Sequence, residues 1–146
     1  MNAEFERIET DELILLLAEK NPGDGIMLPF YYYDIIRKSD NAVVGKISVR
    51  IGRNFHSYYN GNIGYEVYEQ YRGNCYAYKA CVAVLTVAKA EGMDYIYITC
   101  AESNKASYKT IEKLGAKLFE ICEVPQSYFA WHEGMERQRI YRLVLK

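Results

Sequence analysis

Apolar residues recur at spacings of three and four between residues 76 and 91, where Ala77, Ala80, Cys81, Val84, Leu85 and Ala88 share one stripe. That period predicts an amphipathic helix with one buried face, and Gly92 supplies its stop. A second helix is expected from a Ser103 or Asn104 cap through Leu114, again ended by a glycine, Gly115. Residues 30–37, 42–51, 62–68, 94–100, 117–124 and 139–145 are rich in β-branched and aromatic side chains and read as strands. Lys38-Ser39-Asp40-Asn41 is turn chemistry that joins the first two into a hairpin. Residues 52–61 read as a polar, aromatic loop and 69–75 as a short polar one. Near the start, Thr10-Asp11-Glu12 reads as the cap of a short helix over residues 13–20, ended by Asn21-Pro22-Gly23. The order is helix, hairpin, strand, helix, strand, helix, strand, strand. It predicts a mixed α/β sheet with helices on its faces. Ligands of such sheets favour the crevice beyond the strand ends, beside a helix N-terminus.

Composition narrows the classes. A chain of 146 residues fits one domain, 1–146, and half of those residues are hydrophobic and a quarter charged, as in ordinary globular proteins. No apolar run approaches the roughly 18–20 residues of a membrane span. Met1-Asn2-Ala3-Glu4-Phe5-Glu6 lacks the flank and core of a secretory signal. The net charge of -1 argues against broad electrostatic binding to nucleic acid or membrane. Cys75, Cys81, Cys100 and Cys122 form no C-x-x-C pair, so free thiols in the cytoplasm are expected and no metal. Fifteen tyrosines are the oddity. Their apolar bodies and hydroxyl tips suit sheet faces and the lining of a cleft. Glu4, Glu6, Glu9, Asp11 and Glu12 make the start acidic, which suits a cationic substrate or equally a charged helix start.

Gln70-Tyr71-Arg72-Gly73-Asn74-Cys75-Tyr76-Ala77 lies where strand gives way to helix. Unpartnered first-turn amides, the helix dipole, a glycine and a guanidinium together make a pyrophosphate cradle, though an ordinary turn has the same parts. Neither a Gly-Lys-Ser/Thr nor a G-x-G-x-x-G is present. The next helix opens with Asn104-Lys105-Ala106-Ser107 and closes with Ile111-Glu112-Lys113-Leu114-Gly115.

These two segments together resemble the GNAT superfamily of acyl-CoA-dependent N-acetyltransferases, in an uncharacterised bacterial branch. Gln70-x-x-Gly73-x-Cys75 is similar to its Q/R-x-x-G-x-G/A motif, and Asn104-x-Ala106-Ser107 with Glu112-Lys113-Leu114-Gly115 to its N-x-A-S…E-K-L-G pattern. Ile63-Gly64-Tyr65 is also typical of that branch. The resemblance implies an α+β fold: a mixed, mostly antiparallel twisted sheet of six to seven strands, helices on both faces, and a splayed central strand pair holding CoA. Carried onto this chain, the backbone of Val67 and Glu66 would bind pantetheine. The amides of Arg72, Gly73, Asn74, Cys75, Tyr76 and Ala77 would hold the pyrophosphate. Asn104 would bond the middle of the arm, with Ser107 close by. Lys79, Lys105 and Lys109 could meet a distal phosphate but also fit a solvated helix face.

The implied activity moves an acetyl group from acetyl-CoA, a co-substrate, to a primary amine of a small molecule or peptide by direct attack. Glu66 is the candidate base, and it stands equally as a solvent-facing strand residue. Many members place a tyrosine acid two turns after the asparagine, where this chain has Ile111, so Tyr108 is the candidate substitute. Asn62 and Tyr65 could order a relay water. His56 reads as a surface-loop histidine. Tyr128, Phe129 and Trp131, in a loop that also carries His132, either cover the acceptor or pack under a sheet edge. Cys75 stands where the family has Gly or Ala, and reads as a buried, inert thiol in preference to a redox-sensitive point. Competing readings are an acyl-CoA-binding module without turnover and a tyrosine-rich interaction domain. A homodimer through the C-terminal strand edges is expected.

Overall fold

The computed structural model of the chain describes residues 5–145, so the expectations about Glu4 and the start of the chain lie outside the described residues. Eight strands form two antiparallel sheets. The first has the order β1 (Arg7–Glu9), β2 (Leu13–Asn21), β3 (Phe30–Arg37), β4 (Val43–Arg50) and β5 (Ile63–Val67). The second has the order β6 (Tyr95–Ala101), β8 (Gln138–Val144) and β7 (Lys117–Cys122). Three helices connect them: α1 (Phe55–Asn60), α2 (Tyr76–Ala90) and α3 (Lys105–Lys113). The architecture is the α+β fold expected, with eight strands in two antiparallel sheets instead of six to seven in one mixed sheet.

The extra strands come from the start of the chain, where the expected helix over residues 13–20 is replaced by β2. Leu13, Ile14 and Leu15 are all buried and Leu16 is exposed, so it is the ladder with β3 and not an alternation of burial that marks the strand. Leucine, alanine and lysine favour helix in isolation, but pairing along the whole of β3 overrides that preference. The threonine read as a helix cap instead closes a hairpin. Thr10 N–H donates to the Leu13 carbonyl at 2.8 Å, and Leu13 N–H donates to Thr10 Oγ1 at 2.9 Å. With no helix there, the acidic side chains find cations: Glu9 pairs with Lys38 at 3.4 Å and Glu12 with Lys79. The loop expected over residues 52–61 contains α1, fixed by a reciprocal cap in which Ser57 N–H donates to Asn54 Oδ1 and Asn54 N–H to Ser57 Oγ, each at 2.8 Å.

The faces of β6 sort the helices. Ile96, Ile98 and Cys100 point into the core that α2 and α3 cover. Tyr97 and Thr99 point the other way, where the Tyr58 ring of α1 lies 5.0 Å from that of Tyr97 and Thr99 Oγ1 donates to the Tyr59 carbonyl at 3.0 Å. Helices therefore lie on both faces. Among the described residues, no helix is long and apolar enough to cross a membrane.

The two sheets meet at Asn62, the residue before β5. Its N–H donates to the Tyr97 carbonyl at 2.7 Å, and Tyr97 N–H donates back to Asn62 Oδ1 at 3.0 Å. Its Nδ2 donates to the carbonyls of Arg50 and Gly52 at 3.0 and 2.7 Å. The side chain is wholly buried, so every polar atom it presents is used inside the protein. Gly61 lets the strands approach there, because a Cβ on it would sit 3.1 Å from Thr99 N, and its φ is +79°. Beyond this rung β5 and β6 share no ladder and separate.

Two outcomes follow from this packing. Asn62→Ala leaves the half-buried Tyr97 amide and two half-buried carbonyls without their partner, and is expected to lower stability by about 1–3 kcal/mol in urea denaturation. Burial first, and then the carboxylates of Glu91 and Glu112 that their hydroxyls donate to at 2.6 and 2.7 Å, push Tyr31 and Tyr141 up to about 12. Tyrosine in the unfolded chain ionises near 10, so the folded state favours the protonated phenol. That contribution is complete below pH 10 and is lost as pH rises through 12. Stability measured from pH 9 to 12 should fall, and the double variant Tyr31→Phe, Tyr141→Phe should fall less steeply.

Candidate functional site

The separation of β5 from β6 opens a cleft of about 530 Å3, walled by β5, the loop before α2 and the first turns of α2 and α3. Strand register decides which backbone groups face it. Tyr68 N–H bonds the Val44 carbonyl at 2.8 Å and Arg50 N–H the Asn62 carbonyl at 2.7 Å, so even-numbered positions of β5 spend their amides and carbonyls on β4. The backbone of Tyr65 and Val67 therefore faces the cleft, and that of Glu66 does not. The part expected of the Glu66 backbone is corrected on this ground. The Val67 carbonyl accepts a hydrogen bond from Arg72 Nε at 2.8 Å, which draws the loop across the cleft mouth.

The loop reaches α2 through two left-handed residues, Gly73 at φ +92° and Cys75 at φ +61°. Cys75 is the N-cap of α2 and contributes no side-chain hydrogen bond, so the first-turn amides point into the cleft without a side-chain cap. Its thiol is exposed, not buried as expected. Lys113 Nζ lies 4.0 Å from its sulfur. Of the nine residues expected to hold the cofactor, Val67, Arg72, Gly73, Cys75, Tyr76, Ala77, Asn104 and Ser107 line this cleft. Asn74 does not line it, and its side chain turns back to donate to the Tyr71 carbonyl at 3.1 Å, which leaves the part expected of its backbone amide unaffected.

Asn104 caps α3, its Oδ1 accepting from Ser107 N–H at 3.2 Å, which leaves its amide nitrogen available to the cleft. Ser107 Oγ lies 2.8 Å from the Tyr65 hydroxyl. Burial is the main cause that pushes Tyr65 up to about 12, so the phenol is protonated at neutral pH. Tyr65 was expected to order a water with Asn62, but Asn62 has no free group for that. Tyr108 does not line the cleft. Its ring packs under Arg139, whose guanidinium carbon is 4.1 Å from the ring centroid.

The Glu66 side chain points to the opposite face of the sheet, where it pairs with Lys46 at 3.7 Å and is half exposed. It borders a second cavity of about 230 Å3, whose walls include Tyr32, Lys46, Ser48, Arg50 and Gly64. Tyr65 and Glu66 border both cavities, so the two meet at the middle of β5. Sequence reading missed Lys46, Ser48 and Arg50, which become neighbours of Glu66 only through the β4–β5 register. His56 lies in α1, where Nδ1 accepts from Phe129 N–H at 3.2 Å and its ring packs on Tyr128 and Phe129. His132 is exposed. Lys79 is engaged by Glu12, and Lys105 and Lys109 are exposed on α3. Among the described residues no three His, Cys, Asp or Glu side chains converge as a metal site.

Residues 2–117 match a family model described as an acetyltransferase (GNAT) domain. No protein of curated function matches the chain in sequence. Solved structures share the fold. A Vibrio cholerae protein provisionally named a ribosomal-protein-serine acetyltransferase superposes with a TM-score of 0.69 at 14% identity, over 95% of this chain and 97% of that one. A Salmonella typhimurium acetyl transferase, which modifies the N-terminal serine of ribosomal protein L7/L12, gives 0.62 at 20% identity over 80% of this chain and 64% of its own. The microcin C7 self-immunity acetyltransferase MccE, solved with acetyl-CoA and AMP, gives 0.61 at 21% over 80% and 61%. The chain thus spans less than two thirds of the last two.

The left-handed Cys75 carries a testable cost. A β-carbon in that conformation is disfavoured by about 1–2 kcal/mol, whereas glycine loses about 0.5–1 kcal/mol of chain entropy on ordering. Cys75→Gly should therefore raise stability by roughly half a kcal/mol to one in thermal or urea denaturation. Cys75→Val should lower it.

Proposed function

The chain belongs to the GNAT family of acetyltransferases, and on that premise we propose that residues 1–146 form one N-acetyltransferase domain acting on a primary amine of a small molecule or peptide. One observation carries the reading: the cleft that opens where Asn62 ends the contact between β5 and β6, with the uncapped N-terminus of α2 across it. Its parts fit acetyl-CoA. The cleft-facing backbone of Val67 can pair with the amides of an extended arm, as an added strand would. The amides from Arg72 to Ala77 suit a pyrophosphate, and Gly73, with nothing within 4 Å of where its Cβ would lie, lets the backbone come close. Arg72 can exchange the Val67 carbonyl for an anionic oxygen. Asn104 offers its amide nitrogen to the arm, beside Ser107.

Acetyl-CoA supplies a thioester whose C–S bond breaks as the amine nitrogen forms its C–N bond. The chain's part is to orient the amine, take up its proton and return one to the leaving sulfur. Glu66, on the strand's other face, receives the amine's proton directly or through water. The cleft-facing amide of Val67 steadies the developing oxyanion. Tyr65, protonated and held by Ser107, donates to the leaving sulfur, and this replaces Tyr108 in that role. The four free cysteines suit the reducing cytoplasm. The β7 edge, with Leu118 and Phe119 exposed, supports pairing of two copies as a homodimer.

Titration with acetyl-CoA, CoA and ATP tests the cleft. Acetyl-CoA and CoA should raise the melting temperature, by about 2.7 kcal/mol of stability at a hundred times Kd, and ATP should not. An amine screen then separates an enzyme from a module that binds without turnover. Tyr65→Phe should keep the CoA shift and lower kcat by about 10- to 100-fold. An unchanged kcat would remove Tyr65 from the reaction, and no shift with any CoA species would overturn the reading.

A further inference from the structure

The second cavity holds a cation that the fold itself does not neutralise. Arg50, at the end of β4, sends its guanidinium back along the sheet, where Nη1 donates to the Gly61 carbonyl at 3.0 Å. That is its one side-chain hydrogen bond among the described residues, and no carboxylate pairs with it there. A guanidinium carries five N–H donors and stays charged in proteins. Arg50 is half-buried, and holding a guanidinium partly out of water beside a carbonyl alone leaves it an incompletely compensated charge.

The surroundings explain where its unused donors point. A Cβ on Gly64 would lie 3.4 Å from Arg50 Nη2, 3.6 Å from Nη1 and 3.4 Å from Ser48 Oγ. Two guanidinium nitrogens and a buried hydroxyl thus converge on the space that glycine leaves open, on the cavity wall. Tyr128, itself buried, stands beside the guanidinium. Two planar N–H groups and an O–H around one open spot match the oxygens of a carboxylate. Glu66 lies two residues from Gly64 on the same face of β5, a step of about 7 Å along the strand. Lys46, the other cation of this cavity, is already held by Glu66.

The geometry points to Arg50 and Ser48, across Gly64, as a carboxylate-binding subsite: the acceptor is an amine that carries a carboxylate about 7 Å from its nitrogen. This rests on the acetyltransferase reading for the amine's fate, but the binding it demands does not need turnover. Arg50 takes the acid group, and the amine then lies by Glu66 at the middle of β5, where both cavities meet.

Matched amines provide the test: 5-aminopentanoate against pentylamine for a small molecule, and amidated Ser-Glu against amidated Ser-Gln for a peptide. Affinities are measured by calorimetry on the full chain with and without saturating CoA, and kcat/KM is measured with acetyl-CoA. In at least one pair the carboxylate member should bind about tenfold or more tightly. Which pair responds identifies the source of the carboxylate. The preference should fall to near one in Arg50→Met and be partly kept in Arg50→Lys. Arg50→Lys also keeps the test open should Arg50→Met fail to fold. Equal or absent binding of both members of both pairs, or a preference that survives the loss of the guanidinium, overturns the subsite. A carboxylate preference without any response to acetyl-CoA would sink the acetyltransferase reading and leave the subsite standing.

Discussion

The structure depends on the way Asn62 joins its two sheets. A regular rung between β5 and β6 would bring both strands into register and close the sheet. Here the Asn62 N–H and its side-chain Oδ1 together satisfy Tyr97, so one residue supplies both halves of the exchange. A side-chain oxygen need not lie in the plane of the strand, which frees β5 to leave at an angle. The Nδ2 bonds to Arg50 and Gly52 tie the same side chain to β4 and its following loop. The joint is held at three points by a side chain that is itself wholly buried, so Asn62 has no water to exchange its partners for. The cleft follows as a geometric consequence of this joint.

Once β5 is an edge on one side, the alternation of a strand divides the labour. Its odd-numbered residues turn their backbone toward the cleft and their side chains toward α2 and α3; its even-numbered residues bond β4 and turn their side chains to the opposite face. Tyr65 and Glu66 are neighbours in sequence yet project from opposite faces. A proton donor for one side of a reaction and a proton acceptor for the other are thereby delivered by consecutive residues. No loop has to carry either group.

How much of this was legible in the sequence depends on how local each signal is. The stripe from Ala77 to Ala88, the cap at Asn104 and the glycines after both helices are local, and they appear where expected. The cleft wall was legible for the same reason, since loop and helix cap are contiguous segments. The run Leu13–Leu17 misled because its composition suits a helix and only its partner β3 makes it a strand. α1 was missed although Asn54 and Ser57 form a reciprocal cap, because the aromatic residues between them look like loop filling. Arg50 and Ser48 were invisible as site residues, since their nearness to Glu66 exists only in the pairing of β4 with β5. Asn62 was read as a water-orderer because nothing in a sequence tells a buried joint from a site residue.

The departures from local rules lie on the walls of the two cavities that meet at β5. Cys75 holds a backbone conformation that suits glycine, at the mouth of the cleft. Arg50 holds a half-buried charge without a carboxylate, behind β5. Tyr65 keeps a phenol in a setting that burial makes hard to ionise, between the two cavities. The first two of these cost stability, while the sheets and helices farther away obey the ordinary rules of pattern and capping. A fold selected only for stability would scatter such costs or remove them, as Cys75→Gly is expected to do for one of them. Their position on the walls of the two cavities that meet at β5 is what a working site imposes on an otherwise consistent fold.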